Sequence, residues 1–257
     1  MGMIYVSEVL RIAAAEVGYV EKASNYQLDD KIANAGNANW NKYFRDLWNA
    51  QPHFYQGPKN PNDWCCGFVD WCLYMAAKQD SKAAQTALCY TGPYGAGCGM
   101  SVMYYKEADR FWERDKADPR PGDQIFFGTA KSVAHTGLVE EVSANTITTI
   151  EGNSGNAVRR KIYARSASNI YGYGRPRYDG DAPPEPEPLP FADIKAGSWS
   201  EEAIRWAWEN RIMVGTSATT FSPKKPMTRE QAAVMLKAAC SYMEQRLAAM
   251  IREALNR

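Results

Sequence analysis

PGDQIFFGTAKSVAHTGLVEEVSANTITTIEGN, residues 121–153, is the stretch whose reading decides the fold. Short runs rich in β-branched and aromatic residues are separated by Gly, Ser and Asn, the pattern of consecutive antiparallel strands. The runs predict strands at 124–127, 134–142 and 146–151, with another at 158–163. Ser143–Asn145 leaves room only for a hairpin turn between the second and third. Centring that turn on Ala144 makes facing residues sum to 288, so His135 faces Asn153 and Glu151 faces Gly137. Side chains alternate along a strand, which puts His135, Glu151 and Asn153 on one face.

Toward the N-terminus the period becomes helical. In WCCGFVDWCLYMAAK, residues 64–78, Cys65, Phe68, Val69, Cys72, Leu73 and Ala76 fall on a single apolar stripe. Asn62 or Asp63 stands where a cap for this helix belongs. Cys65 then lies in the first turn, where the helix dipole and unpaired N–H groups favour a thiolate. Cys66 points about 100° away around the helix and is the poorer nucleophile. Gly67 leaves space for the close approach of a strand or substrate. Residues 7–17 read as an amphipathic helix, and 26–59 as short helices and loops of weak periodicity. Helices followed by strands indicate an α+β fold with an antiparallel sheet.

A thiolate nucleophile needs a base, and the chain has two histidines. His53 lies in the loop QPHFYQG. His135 opens a strand and has Glu151 and Asn153 as polar neighbours able to orient its ring. Cys65 with His135 and an orienting carboxylate is the nucleophile–base–orienter pattern of cysteine hydrolases.

The other cysteines stand at 66, 72, 89, 98 and 240, without the spacing of a disulfide framework. Cys66, Cys72 and Cys240 read as small buried hydrophobes. Paired C-x-x-C spacing is missing, so no metal site and no cofactor are expected. Lys and Arg total 30 against 29 Asp and Glu, a net charge of +1. That balance supplies no bulk attraction to nucleic acid or to a membrane surface. No run approaches the roughly 20 apolar residues of a membrane span. The segment 1–10 lacks the basic and apolar regions of a signal peptide.

DGDAPPEPEPLP, residues 179–190, places five prolines within 183–190 and reads as an extended linker. It divides a catalytic-sized domain, 1–178, from a small all-α domain, 191–257. The small domain has a pair of helix starts with capping-box patterns, Ser198 with Glu201 and Thr228 with Gln231. The first helix is expected to bury Ala203, Ile204, Ala207 and Trp208, with Gly215 as a stop and Phe221-Ser-Pro as a turn. The second is expected to run on to Asn256. Its stripe of Leu236, Met243, Leu247, Met250, Ile251 and Leu255 suits self-association, which predicts a homo-oligomer through this region.

The motifs WCCGFVDWC at 64–72, PGDQIFF at 121–127, AHTGLVEEV at 134–142 and TIEGN at 149–153 resemble the CHAP family of cysteine, histidine-dependent amidohydrolases/peptidases. AAAEVGYVEKASN at 13–25 also looks like the opening of such lysins. The resemblance covers nearly all of 1–178 and implies a papain-like fold of the NlpC/P60 type. It further implies Cys65 as nucleophile, His135 as base, and Glu151 and Asn153 as its polar partners. Cys66 departs from the small residue usual at that position. The acidic cluster that binds calcium in some relatives is not evident before Cys65, so no calcium is predicted. Residues 191–239 resemble one S-layer homology repeat, with F-x-D, GT, F-S-P and T-R-E in order, which implies binding to secondary wall polymers through Arg229. Trp199 sits near where an early aromatic is common in that repeat. Such repeats usually come in threes.

These resemblances imply a peptidoglycan hydrolase acting outside the cell or in the wall, most specifically an N-acetylmuramoyl-L-alanine amidase. A stem-peptide or cross-bridge endopeptidase and a non-catalytic wall-binding protein are the alternatives. Release as a phage or prophage lysin on host lysis is the route expected without a signal peptide. Trp40, Tyr43, Trp64, Tyr104 and Tyr105 are candidates for lining a sugar–peptide groove.

Overall fold

The computed structural model describes residues 3–92, 96–181 and 188–255. The chain forms two compact units, 1–184 and 185–257. Half of the proline-rich segment, 182–187, lies outside the described residues.

The first unit opens with five helices: α1 (Val6–Glu16), α2 (Lys42–Asn49), α3 (Cys65–Ala76), α4 (Ser81–Ala87) and α5 (Cys98–Glu107). Six strands follow: β1 (Phe111–Glu113), β2 (Gln124–Thr129), β3 (Ser132–Val142), β4 (Thr146–Glu151), β5 (Arg159–Ala164) and β6 (Ile170–Gly174). They make one antiparallel sheet in the order β1-β6-β2-β3-β4-β5. The α+β class and the antiparallel sheet are as the strand pattern indicated. The short helices α4 and α5 and the strands β1 and β6 left no periodic signal long enough to read.

The β3–β4 register is the one that positions the site. Leu138 faces Ile150 and Val139 faces Thr149, both pairs summing to 288 as expected. Toward the turn the pairs become Glu141 with Thr148 and Val142 with Ile147, because a bulge inserts one residue between Val139 and Glu141. The hairpin is therefore in the expected register at the His135 end and shifted at the turn.

α3 is the centre of the unit. Every one of its residues except Met75 is buried, so the helix is covered on all sides rather than along one stripe. It packs on α1, α2, α4 and the sheet. Gly67 is what lets α2 come close, because a Cβ there would stand 2.2 Å from Phe44 Cε1. The space serves a neighbouring helix, not a strand or a substrate. Gly152 serves the same end at the tip of β4, where a Cβ would meet Phe68 Cβ at 2.4 Å. The helix carries no side-chain cap, contrary to the expectation for Asn62 or Asp63. Asp63 instead accepts a hydrogen bond from Asn153 Nδ2 at 3.2 Å. A second apolar layer of Ile125, Phe127, Val139, Ile147, Ile170 and Tyr173 forms separately from the helical core.

The second unit contains α6 (Glu201–Glu209) and α7 (Arg229–Leu255) around a small core of Phe191, Ile204 and Phe221. Asp193 joins two of its motifs, accepting from Phe221 N at 2.8 Å and Ser222 N at 2.7 Å. The F-x-D aspartate thus closes the F-S-P turn, whose Ser222 has φ of 61°. The Thr228–Gln231 capping box is formed in both directions, at 2.9 and 3.2 Å. The Ser198–Glu201 box is not. There α6 begins after Ser200, and Glu201 accepts from Gly197 N at 2.6 Å. Ile204 and Ala207 are buried, whereas Ala203 and Trp208 remain exposed. Along α7 the side chains of Leu236, Met243, Leu247 and Ile251 are exposed, and those of Met250 and Leu255 lie outside the description. No helix among the described residues is long and apolar enough to cross a membrane.

Candidate active site

Cys65 is the first residue of α3, where backbone N–H groups lack intrahelical acceptors. Its sulfur lies 3.6 Å from Cys98 Sγ, and Cys98 is the first residue of α5. Cys66 Sγ lies 3.3 Å from the same sulfur. Thiol donors at Cys66 and Cys98 lower the Cys65 pKa well below the usual thiol range, against the effect of burial, and His135 adds to the lowering. Cys66 moves the opposite way, because it donates to Cys65 and is fully enclosed. Of the two thiols, Cys65 is the one whose charged form is favoured.

His135 extends from β3 beside that thiolate. Its Nε2 is 2.9 Å from Glu151 Oε2, which leaves Nδ1 as the ring nitrogen for Cys65. Burial works against the imidazolium, but the Cys65 thiolate and Glu151 outweigh it and lift the His135 pKa to about 9. Glu151 is 1% exposed. Its own pKa is lowered despite burial, since His135, Thr149 and Tyr163 all donate to it. Thr149 Oγ1 does so at 2.6 Å. The shifts favour a thiolate at Cys65 beside an imidazolium at His135, with a buried carboxylate on the ring, the arrangement a candidate cysteine nucleophile needs.

Cys65, His135 and Glu151 are thus brought together. Asn153 is not part of the group. It lies past the end of β4 with φ of 56° and donates to Asp63 and, at 3.4 Å, to Asn39. The reversed backbone turns its amide away from the imidazole and toward the loops. His53 is exposed, stacked on Trp48 with ring centroids 4.0 Å apart, and engaged with the Trp48 carbonyl.

Of the aromatic groove candidates, Trp64, Tyr43, Tyr104 and Tyr105 are core. Trp64 is 0% exposed and donates its indole N–H to the buried Glu21 at 3.0 Å. It lies under the site, stacked on Tyr43. Tyr104 packs on Tyr90 and donates to the Gly92 carbonyl. A large ring with its polar atom already satisfied in the core has nothing left to offer a substrate. Trp40 is half-buried, and Arg229 is exposed in the first turn of α7.

Sequence reasoning missed Thr149, Tyr163 and Cys98. Thr149 was discoverable, because two residues before Glu151 on a strand is the same face. Cys98, 33 residues from Cys65, carried no signal. A further unforeseen group lies inside α3, where Asp70 is fully buried and accepts hydrogen bonds from the Tyr55 and Tyr90 hydroxyls.

Comparison with known proteins gives one family match within each unit. Residues 57–153 match the CHAP domain family and residues 190–233 the S-layer homology domain family. The chain is 51% identical over 48 residues to an endoglucanase of Bacillus sp. (strain KSM-635), covering 19% of this chain and 5% of that protein. It is 48% identical over 46 residues to the surface-layer 125 kDa protein of Lysinibacillus sphaericus, covering 18% of this chain and 4% of that one. The crystal structure of Ly7917 aligns at 17% identity with a TM-score of 0.40, over 67% of this chain and 62% of that one. The structure of Ly7917 with the hydrolyzing product of MDP aligns with a TM-score of 0.38, over 66% and 62%. The chain carries a CHAP domain followed by an S-layer homology domain.

Proposed function

We propose that this CHAP domain and S-layer homology domain together make a peptidoglycan hydrolase that works at the bacterial cell wall. The observation that carries the reading is the armed pair in the first unit: a thiolate at a helix start, an imidazolium beside it, and a buried carboxylate on the far ring nitrogen. The Cys65 sulfur attacks the carbonyl carbon of an amide, and backbone N–H groups at the start of α3 are suited to holding the oxyanion. His135 gives its proton to the leaving nitrogen as the C–N bond breaks, which leaves a thioester on Cys65. Water then attacks that thioester with neutral His135 as base, and the carboxylate product departs.

Glu151 acts through His135, setting the tautomer and favouring the charged ring. Half-buried Trp40 is the aromatic left to meet the substrate, since Trp64 and Tyr104 are enclosed. The S-layer homology domain favours binding to a secondary wall polymer and a cell-surface location, with Arg229 and the fully exposed Trp199 as contacts. Its similarity to a surface-layer protein favours a bacterial surface protein and lends nothing to release as a phage lysin.

The bond we assign is the amide between muramic acid and L-alanine. Digestion of purified Gram-positive walls by the full chain and by Cys65→Ala, with mass spectrometry of the fragments, tests each layer. Stem peptides beginning with a free L-Ala amine, released only by the unsubstituted chain, are expected. Fragments cut within stems or bridges would make it an endopeptidase. Equal digestion by Cys65→Ala would remove the nucleophile. Wall binding without digestion would leave a wall-binding protein.

A further inference from the structure

Three thiols meet at the start of two helices, and a one-cysteine hydrolysis needs only one of them. Cys65 and Cys66 Sγ stand 3.6 and 3.3 Å from Cys98 Sγ, and all three sulfurs lie within 4.8 Å of one another. All three cysteines are free. Around an ion with Zn–S bonds of about 2.3 Å, the edges of a three-thiolate set are roughly 3.8–4.0 Å long. The 3.6 and 3.3 Å edges would reach that size by opening about 0.2–0.7 Å. Thiolate sets of this kind are soft and select Zn²⁺ over Mg²⁺ or Ca²⁺.

The surroundings suit such an ion. Cys65 and Cys98 head α3 and α5, whose positive N-terminal ends face the sulfurs and offset the surplus negative charge of three thiolates on one divalent ion. Cys65 and Cys98 retain slight exposure, 6% and 8%, so an ion has a way in, while Cys66 is closed off behind them. Spacing along the chain could not show this, because Cys98 is 32 residues beyond Cys66 and no C-x-x-C pair is present.

We propose that Cys65, Cys66 and Cys98 form a three-thiolate Zn²⁺ site whose occupancy caps the nucleophile. Each thiol that is protonated gives its proton to solvent as its sulfur binds the ion, and no electron is transferred. Zinc then holds the Cys65 lone pair that would otherwise attack a carbonyl. The capping rests on the hydrolase reading, and the metal binding stands without it. Removal of the ion by a chelator restores the thiolate.

The test is titration of the reduced full chain with Cd²⁺, read by sulfur-to-cadmium charge-transfer absorption. It is done in a Cys240→Ser background because Cys240 is exposed. One Cd²⁺ per chain is expected, with the absorption of three thiolates, and a chain first loaded with Zn²⁺ should release it as the softer Cd²⁺ binds. Cys98→Ser and Cys66→Ser should each remove about one third of the band and weaken binding by about 10-fold or more. A band of one thiolate, or one unaltered by both substitutions, overturns the site. Wall digestion by chelated and by zinc-loaded protein then separates the two claims. Equal rates overturn the capping. A three-thiolate band from a chain that digests no wall even when chelated keeps the metal site and removes the hydrolase reading.

Discussion

Replacing Asp70 by asparagine should make the first unit's stability respond less to pH, and the size of the change follows from where Asp70 sits. The carboxyl is fully buried in α3, and enclosure raises its pKa from 3.8 to about 7, against hydrogen bonds from Tyr55 and Tyr90 that lower it and a push upward from the Cys65 charge. A raised folded-state pKa means that the folded chain holds this proton more tightly than the unfolded chain. Asp70 therefore contributes stability that is complete below about pH 3.8 and is lost as pH rises to about 7. In that window the slope is about 1.4 kcal/mol per pH unit. From pH 5 to pH 8 the contribution falls by about 3 kcal/mol, nearly all of it before pH 7.5. The replacement amide does not titrate, yet it keeps an acceptor oxygen for one tyrosine and offers an N–H to the other. Stability of the unsubstituted chain minus that of Asp70→Asn should thus drop by about 3 kcal/mol between the two pH values. Native-state hydrogen exchange at the β2 and β3 amides reports on the first unit alone, and other titrating groups cancel in the difference. A difference constant to within about 0.5 kcal/mol would refute the reasoning. Such a constant difference would mean that the two tyrosine hydroxyls outweigh burial and keep the carboxylate charged throughout this range.

The other predictions concern packing, positioning and anchoring. Gly67→Ala puts a Cβ 2.2 Å from Phe44 Cε1 in a closed core, and denaturation should show a loss of about 1–3 kcal/mol. Glu151→Gln keeps an acceptor for His135 but removes the charge, so a bond worth about 1.5–3 kcal/mol to an imidazolium weakens. The expected cost is roughly 10–100-fold in kcat/KM on solubilised wall fragments, with the His135 pKa by NMR falling below about 9. An unmoved His135 pKa would show that Glu151 does not hold the ring. Thr149→Val should have the same effect on a smaller scale, about 2–10-fold, because one of the bonds that keep Glu151 charged is lost. Trp199, 96% exposed, should be dispensable for cutting soluble fragments. Trp199→Ala should weaken co-sedimentation with intact walls, and unchanged sedimentation would remove it from the wall-binding surface.

Much of the site was legible in the sequence because it rests on short-range geometry. The helix at 64–78 has a 3.6-residue period, which placed Cys65 in its first turn whatever the helix packs on. The hairpin at 132–151 is closed by three residues, so its register was constrained to within one position, and the 288 pairing put Glu151 on the face of His135. The Thr228–Gln231 box is likewise local, and it formed.

What the sequence could not decide depends on groups far apart in the chain. Trp64 and Trp40 look alike as aromatic candidates, yet only packing against Tyr43 and Glu21 turned the first into core. Asn153 was expected to face His135, but the β3–β4 pairing ends at Ile150 and a left-handed φ after Gly152 carried its amide to Asp63. Cys66 and Cys98 were two unconnected thiols until α5 folded against the start of α3 and put their sulfurs 3.3 Å apart. Period and spacing determine which face a residue occupies, because both are properties of a few consecutive dihedral angles. What that face meets is set by which distant element buries it, and that is a choice only the assembled core makes.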